Sequence, residues 1–201
     1  MRLLLGIPLI VMGCSMIGGG KDTPHVSSKG SVCGDPQIQG EPVGDVPGNG
    51  ACGFSNAVRV RSVGGITLSQ QSLMNCTTAQ TLNSWISNEA VPTVGKRGGG
   101  LTSLRIVAHY ACRTRNSKRG ARLSEHAKGN AIDIAGFGLA NGKEISVLGD
   151  WGGGKDGRIL RELHSSACGP FGTVLGPKSD RHHRDHFHFD TASYRSGSYC
   201  K

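Results

Sequence analysis

Ser124-Glu125-His126-Ala127-Lys128-Gly129-Asn130-Ala131-Ile132-Asp133 reads as a tight loop that delivers the chain into a strand. Gly129 permits a backbone turn that a side chain resists. From Ala131 to Ala135 the residues then alternate, placing Asp133 on the face opposite Ile132 and Ile134. Such a loop lets His126 fold back toward the face that carries Asp133. The C-terminal run His183-Arg184-Asp185-His186-Phe187-His188 answers it. In a strand over His186 to Asp190, His186 and His188 share one face while Phe187 and Phe189 point the other way into a core.

Working outward, Ala57 to Val63 alternates apolar and polar residues before a Gly64-Gly65 turn and predicts a half-buried strand. Leu104 to Cys112, after Gly98-Gly99-Gly100, predicts a central strand, and Glu144 to Leu148 and Phe171 to Leu175 two more. Leu73, Cys76, Ala79, Leu82 and Ile86 recur at helical spacing, with Thr77 and Gln80 as a capping box. Ile159, Leu160, Leu163 and Ala167 mark a second helix, ended by Gly169-Pro170. Helices set apart from strands, rather than alternating with them, predict an α+β fold: a largely antiparallel central sheet with flanking helices.

The chain has 201 residues, enough for one domain with a real core and a tail. With 32 glycines and 5% aromatics, that domain should be rich in loops and modest in core. A formal charge of +9 favours an anionic partner without choosing among cell wall, membrane surface and nucleic acid. At the N-terminus, Met1-Arg2 precedes an apolar run from Leu3 to Met12 that is too short to span a bilayer and fits a signal peptide. Val11-Met12-Gly13-Cys14 is similar to a bacterial lipobox, although Met12 is atypical there. The expectation is a signal peptide over residues 1–13, a lipid-anchored flexible tether over 14–50 that begins at a lipid-modified Cys14, and a folded domain over 51–201. Ordinary secretion is the alternative, and either route exports the chain to the periplasm or cell envelope.

Of seven cysteines, Cys14 would be consumed by lipid. Cys33, Cys52, Cys76, Cys112, Cys168 and Cys200 remain and contain no Cys-x-x-Cys pair. Disulfides in an oxidising compartment follow, with fifteen connectivities open.

The chemistry rests on counting ligands. His126 and Asp133 offer two, and the strand face shared by His186 and His188 offers a third. Two His and one Asp leave a fourth position of Zn2+ open to water, whose pKa zinc lowers toward ~7. Asp185 points away from the histidines in an ideal strand, so it must lie in the preceding turn to act as general base.

The runs Ser124 to Asp133 and Asp185 to His188 resemble the motifs of zinc peptidases grouped with D-alanyl-D-alanine carboxypeptidases, lysostaphin and hedgehog. Together with Tyr110-Ala111-Cys112-Arg113 and Val174-Leu175-Gly176-Pro177, they look like the bacterial extensin-like C-terminal domain, over roughly Cys52 to Cys200. The resemblance implies His126, Asp133 and His188 as zinc ligands and Asp185 as the catalytic carboxylate, where relatives often carry Glu. His183 and His186 would support them, and Arg113 would stabilise an oxyanion. It further implies a peptidase acting on peptidoglycan, with no nucleic-acid partner. The rival is a non-catalytic, zinc-containing module that binds the cell wall. A basic nuclease rests on net charge and histidines alone.

Overall fold

A computed structural model describes residues 29–193 and 196–201. The expected signal peptide, Cys14 and the first part of the expected tether lie outside the described residues. The elements run β1 (Ser31–Val32), β2 (Asp35–Pro47), β3 (Gly53–Val63), β4 (Ile66–Met74) and α1 (Cys76–Trp85). A π-helical stretch, Ile86–Ala90, continues α1 into α2 (Val91–Val94). Then follow β5 (Leu101–Ala108), a 3-10 turn at Glu125–Lys128, β6 (Ala131–Leu139), β7 (Glu144–Ser146), α3 (Val147–Asp150), α4 (Gly154–Ser166), β8 (Thr173–Leu175), β9 (Phe187–Asp190) and β10 (Tyr199–Cys200).

All ten strands join one sheet in the order β1-β2-β3-β4-β5-β6-β9-β8-β10, with β7 beside β6. Every pairing is antiparallel except β4 with β5 and β8 with β10. The α+β expectation holds. The β4–β5 pair is parallel because the chain crosses between them through α1 and α2, as a parallel connection requires. The helices cover one face of the sheet, and burial there is led by aromatics. Trp85 meets Phe189, Phe137 and Phe171 edge-on at ring separations of 5.2, 6.4 and 6.4 Å. Phe171 stacks on Phe189 at 4.9 Å. Each large ring removes apolar area from water and gains from the offset geometry, so few aromatics suffice for this core.

Three details differ from the sequence reading. The stretch expected to be tether through residue 50 is sheet from Ser31 to Pro47. Its polar composition, with Gly40, Pro42, Gly44 and Pro47, is that of a strand near a sheet edge, where neither face need be fully buried. Next, β4 includes Leu73, which the periodicity had assigned to the helix. Finally, Thr77 and Gln80 form no capping box. The N-cap of α1 is Asn75, whose side chain accepts from the Thr78 N–H at 2.8 Å, while Gln80 Nε2 donates to the Cys33 carbonyl.

The six cysteines close as Cys33–Cys76, Cys52–Cys112 and Cys168–Cys200. The first pins β1 to α1, and the second pins the start of β3 to the segment leaving β5. The third ties the end of α4 to the C-terminal strand. Among the described residues no helix is long and apolar enough to cross a membrane.

Candidate metal centre

The sheet register builds most of the site. β6 and β9 are antiparallel neighbours in which Asp133 stands directly opposite His188. Cross-strand partners on one face lie within side-chain reach, and Ile132, Ile134, Phe187 and Phe189 fill the other face, fully buried. His126 arrives from the 3-10 turn before β6. That turn ends at Gly129, in the left-handed region at φ 67°, where an added Cβ would also sit 2.5 Å from the Phe54 ring. The loop is tied to α1 as well: Asn75 Nδ2 donates to Asn130 Oδ1 (2.6 Å), and the Asn75 N–H and Thr78 hydroxyl donate to the Gly129 carbonyl.

The result is a buried triangle of ligand atoms. His126 Nε2 lies 3.1 Å from Asp133 Oδ1 and 3.2 Å from His188 Nδ1, and His188 Nδ1 lies 2.9 Å from Asp133 Oδ1. The three residues are only 1, 3 and 8% exposed, and this is the group that could hold a metal ion among the described residues. A tetrahedral ion with ligand atoms at roughly 2.0–2.1 Å spaces them about 3.3 Å apart, so the triangle fits with an expansion of a few tenths of an ångström.

The outer nitrogens fix the tautomers. His126 Nδ1–H donates to the His109 carbonyl at 2.7 Å, and His188 Nε2–H donates to Asp190 Oδ2 at 3.2 Å. Each imidazole therefore presents its other nitrogen inward, the arrangement of metal-bound histidines. With both rings neutral, three lone-pair-bearing atoms would face one another, which only a cation or a proton relieves. In the metal-free fold a proton serves. Burial works against the charged form of His188, but hydrogen bonds to the Asp133 and Asp190 carboxylates push it up to about 9. Desolvation raises Asp133, and its interactions with His126 and with the protonated His188 outweigh that, holding the carboxyl well below the usual carboxylate range.

These residues line a cleft of ≈ 430 Å³ that also presents Arg113, Ser124, His183 and His186. The chain matches the model of the family described as Extensin-like protein C-terminus over residues 33–201. It belongs to the extensin-like C-terminal family. No curated protein and no solved structure matches it. The family match begins at Cys33, just before β2, in agreement with a folded region that includes β2.

Around the triangle, the residues singled out from the extensin-like sequence fall unequally. His186 is in the cleft, its Nε2 3.6 Å from Asp133 Oδ2. Asp185 lies in the bend before β9 with its side chain 63% exposed, and it is not part of the cleft lining. Its Oδ1 accepts from His186 Nδ1–H at 2.8 Å, a bond that lowers the Asp185 pKa. His183, in the cleft, donates through Nδ1 to Asp180 Oδ1 at 2.9 Å, and burial lowers its pKa despite that partner. Arg113 lines the cleft. His164, outside the cleft, is half-buried against the Trp151 and Phe187 rings. Sequence reasoning missed Asp190 and the His109 carbonyl. Asp190 was findable, since it sits two residues from His188 and so on the same strand face.

Proposed function

We propose that this chain is a zinc-dependent peptidase of the bacterial cell envelope, cleaving a peptide bond in peptidoglycan cross-links or stem peptides. The observation that carries the reading is the His126–Asp133–His188 triangle, with outward nitrogens already held by acceptors, at the floor of an open cleft. Zinc, when bound, polarises a carbonyl and lowers the pKa of water toward ~7. His126, Asp133 and His188 would hold it.

The remaining residues have roles that follow from where they sit. The proton-accepting role expected of Asp185 belongs to the Asp185–His186 pair: the carboxylate holds Nδ1–H, which leaves the Nε2 lone pair beside the triangle to take a proton and return it to a leaving amine. Arg113, on the cleft wall, would offset negative charge on a carbonyl oxygen. His183, neutral at pH 7 and hydrogen-bonded to Asp180, orders the lip next to His186, their rings 5.2 Å apart. Three disulfides support an oxidising, exported location, and the resemblance of both motifs to zinc peptidases supports a peptide substrate.

The test is digestion of purified peptidoglycan, followed by mass spectrometry of the released fragments. Zinc-loaded wild type should release fragments whose mass identifies the bond. His188→Ala should bind no zinc and release none, and His186→Ala should keep zinc but lose at least about a hundredfold in rate. Release by the chelated protein, or full activity of His186→Ala, would sink the proposal.

A further inference from the structure

The acids of the cleft are all partnered, whereas several of the cations beside it are not. Glu125 is held by Asn130 and Lys128, Asp133 by His126 and His188, Asp180 by His183 and Asp190 by His188. Residues 113–123 (Arg113-Thr114-Arg115-Asn116-Ser117-Lys118-Arg119-Gly120-Ala121-Arg122-Leu123) contain five cationic residues and no acid. Among the described residues, Arg113, Lys118, Arg119 and Arg122 form no ion pair.

This segment is a built finger. Thr114 bridges Leu123 in antiparallel fashion, Arg115 N–H donates to the Arg122 carbonyl at 2.9 Å, and Ser124 N–H donates to the Arg113 carbonyl at 3.0 Å. Asn116 and Ser117 turn it with φ of 53° and 52°, closed by Lys118 N–H to the Arg115 carbonyl. The Cys52–Cys112 disulfide anchors its root. One side of the finger, at Arg113, Arg115, Asn116 and Ser117, forms a wall of the metal cleft. Its other side, at Arg115 and Arg122, meets Lys128 in a second, shallow depression. Arg115 is common to both, so the metal cleft and the depression that ends at Lys128 adjoin across the finger, with Leu123 and Glu125 completing the second lining.

We infer that the finger and the adjoining depression are a recognition track for an acidic peptide, drawing a carboxylate-bearing strand across the cleft. Arginine matches carboxylate geometrically and holds it in a fixed fork, and a preorganised backbone reduces the ordering cost of binding. Single-stranded nucleic acid is disfavoured as the occupant, because residues 113–123 contain no aromatic ring on which a base could stack. A membrane surface is disfavoured because the tip, Asn116 to Gly120, offers nothing apolar to insert. The inference rests on the peptidase reading for the substrate being a peptide and extends it to the charge of that peptide.

The experiment measures binding by fluorescence anisotropy in the zinc-loaded full chain carrying His186→Ala, with three labelled probes: an alternating Glu/Ala peptide, its Gln/Ala counterpart and a single-stranded oligonucleotide. The Glu peptide should bind at least about tenfold tighter than the Gln peptide and weaken with added salt. Adding Lys118→Ala, Arg119→Ala and Arg122→Ala should remove that preference while zinc content and melting temperature stay unchanged. Equal binding of Glu and Gln peptides, an unaffected triple variant, or tighter binding of the oligonucleotide each overturns the inference. Zinc content and turnover of a neutral peptide, measured with the native His186, report separately on the metal centre. Loss of charge preference with turnover intact is a failure of the track alone. Absence of turnover with preference intact is a failure of the catalytic reading alone.

Discussion

Removing metal should change how stability depends on pH, in a window set by His188. In the metal-free fold this residue keeps its proton up to about pH 9, held by Asp133 and Asp190, whereas an unfolded histidine releases it near 6.5. The folded chain therefore binds more protons than the unfolded chain across that interval. The stability so contributed is complete below pH 6.5 and is lost as pH rises to about 9. The corresponding contribution from Asp133 runs the other way, present above the ordinary carboxylate range and lost on acidification. A metal in the triangle takes the place of the proton on His188 Nδ1, so the loaded protein lacks the alkaline decline.

The displacement of His188 is worth on the order of 3 kcal/mol. With an unfolding entropy of about 2.1 cal/mol/K per residue over the roughly 170 residues of the domain, that becomes about 9 °C in melting temperature. Scanning calorimetry at several pH values from 6.5 to 9, with chelator and with zinc buffered at constant free concentration, measures it. The gap between the two curves should widen with pH by about that amount. A gap that stays constant, or a metal-free protein that gains stability over this range, refutes the assignment of a protonated His188 between two carboxylates.

Three further outcomes are expected. Asp190→Asn removes the carboxylate that fixes the His188 tautomer and should weaken zinc binding about 10–100-fold in a chelator competition titration, with the circular dichroism spectrum retained. Gly129→Ala forces a Cβ against Phe54 at a left-handed backbone position and should cost about 1–3 kcal/mol in urea denaturation; an unchanged midpoint would contradict the packing described. Cys52→Ser with Cys112→Ser opens a link spanning 60 residues and should cost about 2–4 kcal/mol in the same assay.

The strands that carry the site were legible because each is short, alternates strictly and has a chemically distinct second face. Asp133 opposite Ile132 and Ile134, and His188 opposite Phe187 and Phe189, follow from a period of two alone. The strand near the edge, β2, was not legible. With Gly40, Pro42, Gly44 and Pro47 and little buried area, it lacks the pattern that burial imposes, and only pairing with β3 makes it a strand. The helix start was misread for a related reason. Thr77 and Gln80 satisfy the capping pattern, but Asn75, fixed by Asn130 from a distant loop, captures the N-terminus.

The sequence by itself determined the residue types of the candidate site and the strand faces they occupy, since these depend on side-chain chemistry and strand period. Tertiary structure decided which cysteines pair, and that Asp133 stands opposite His188. It also settled that His186 rather than Asp185 faces the cleft, and that the finger's Arg113 and Arg115 border the candidate metal site. Those outcomes depend on register and on chain reversals over tens of residues. They are fixed by burial of the aromatic core, which no local pattern encodes.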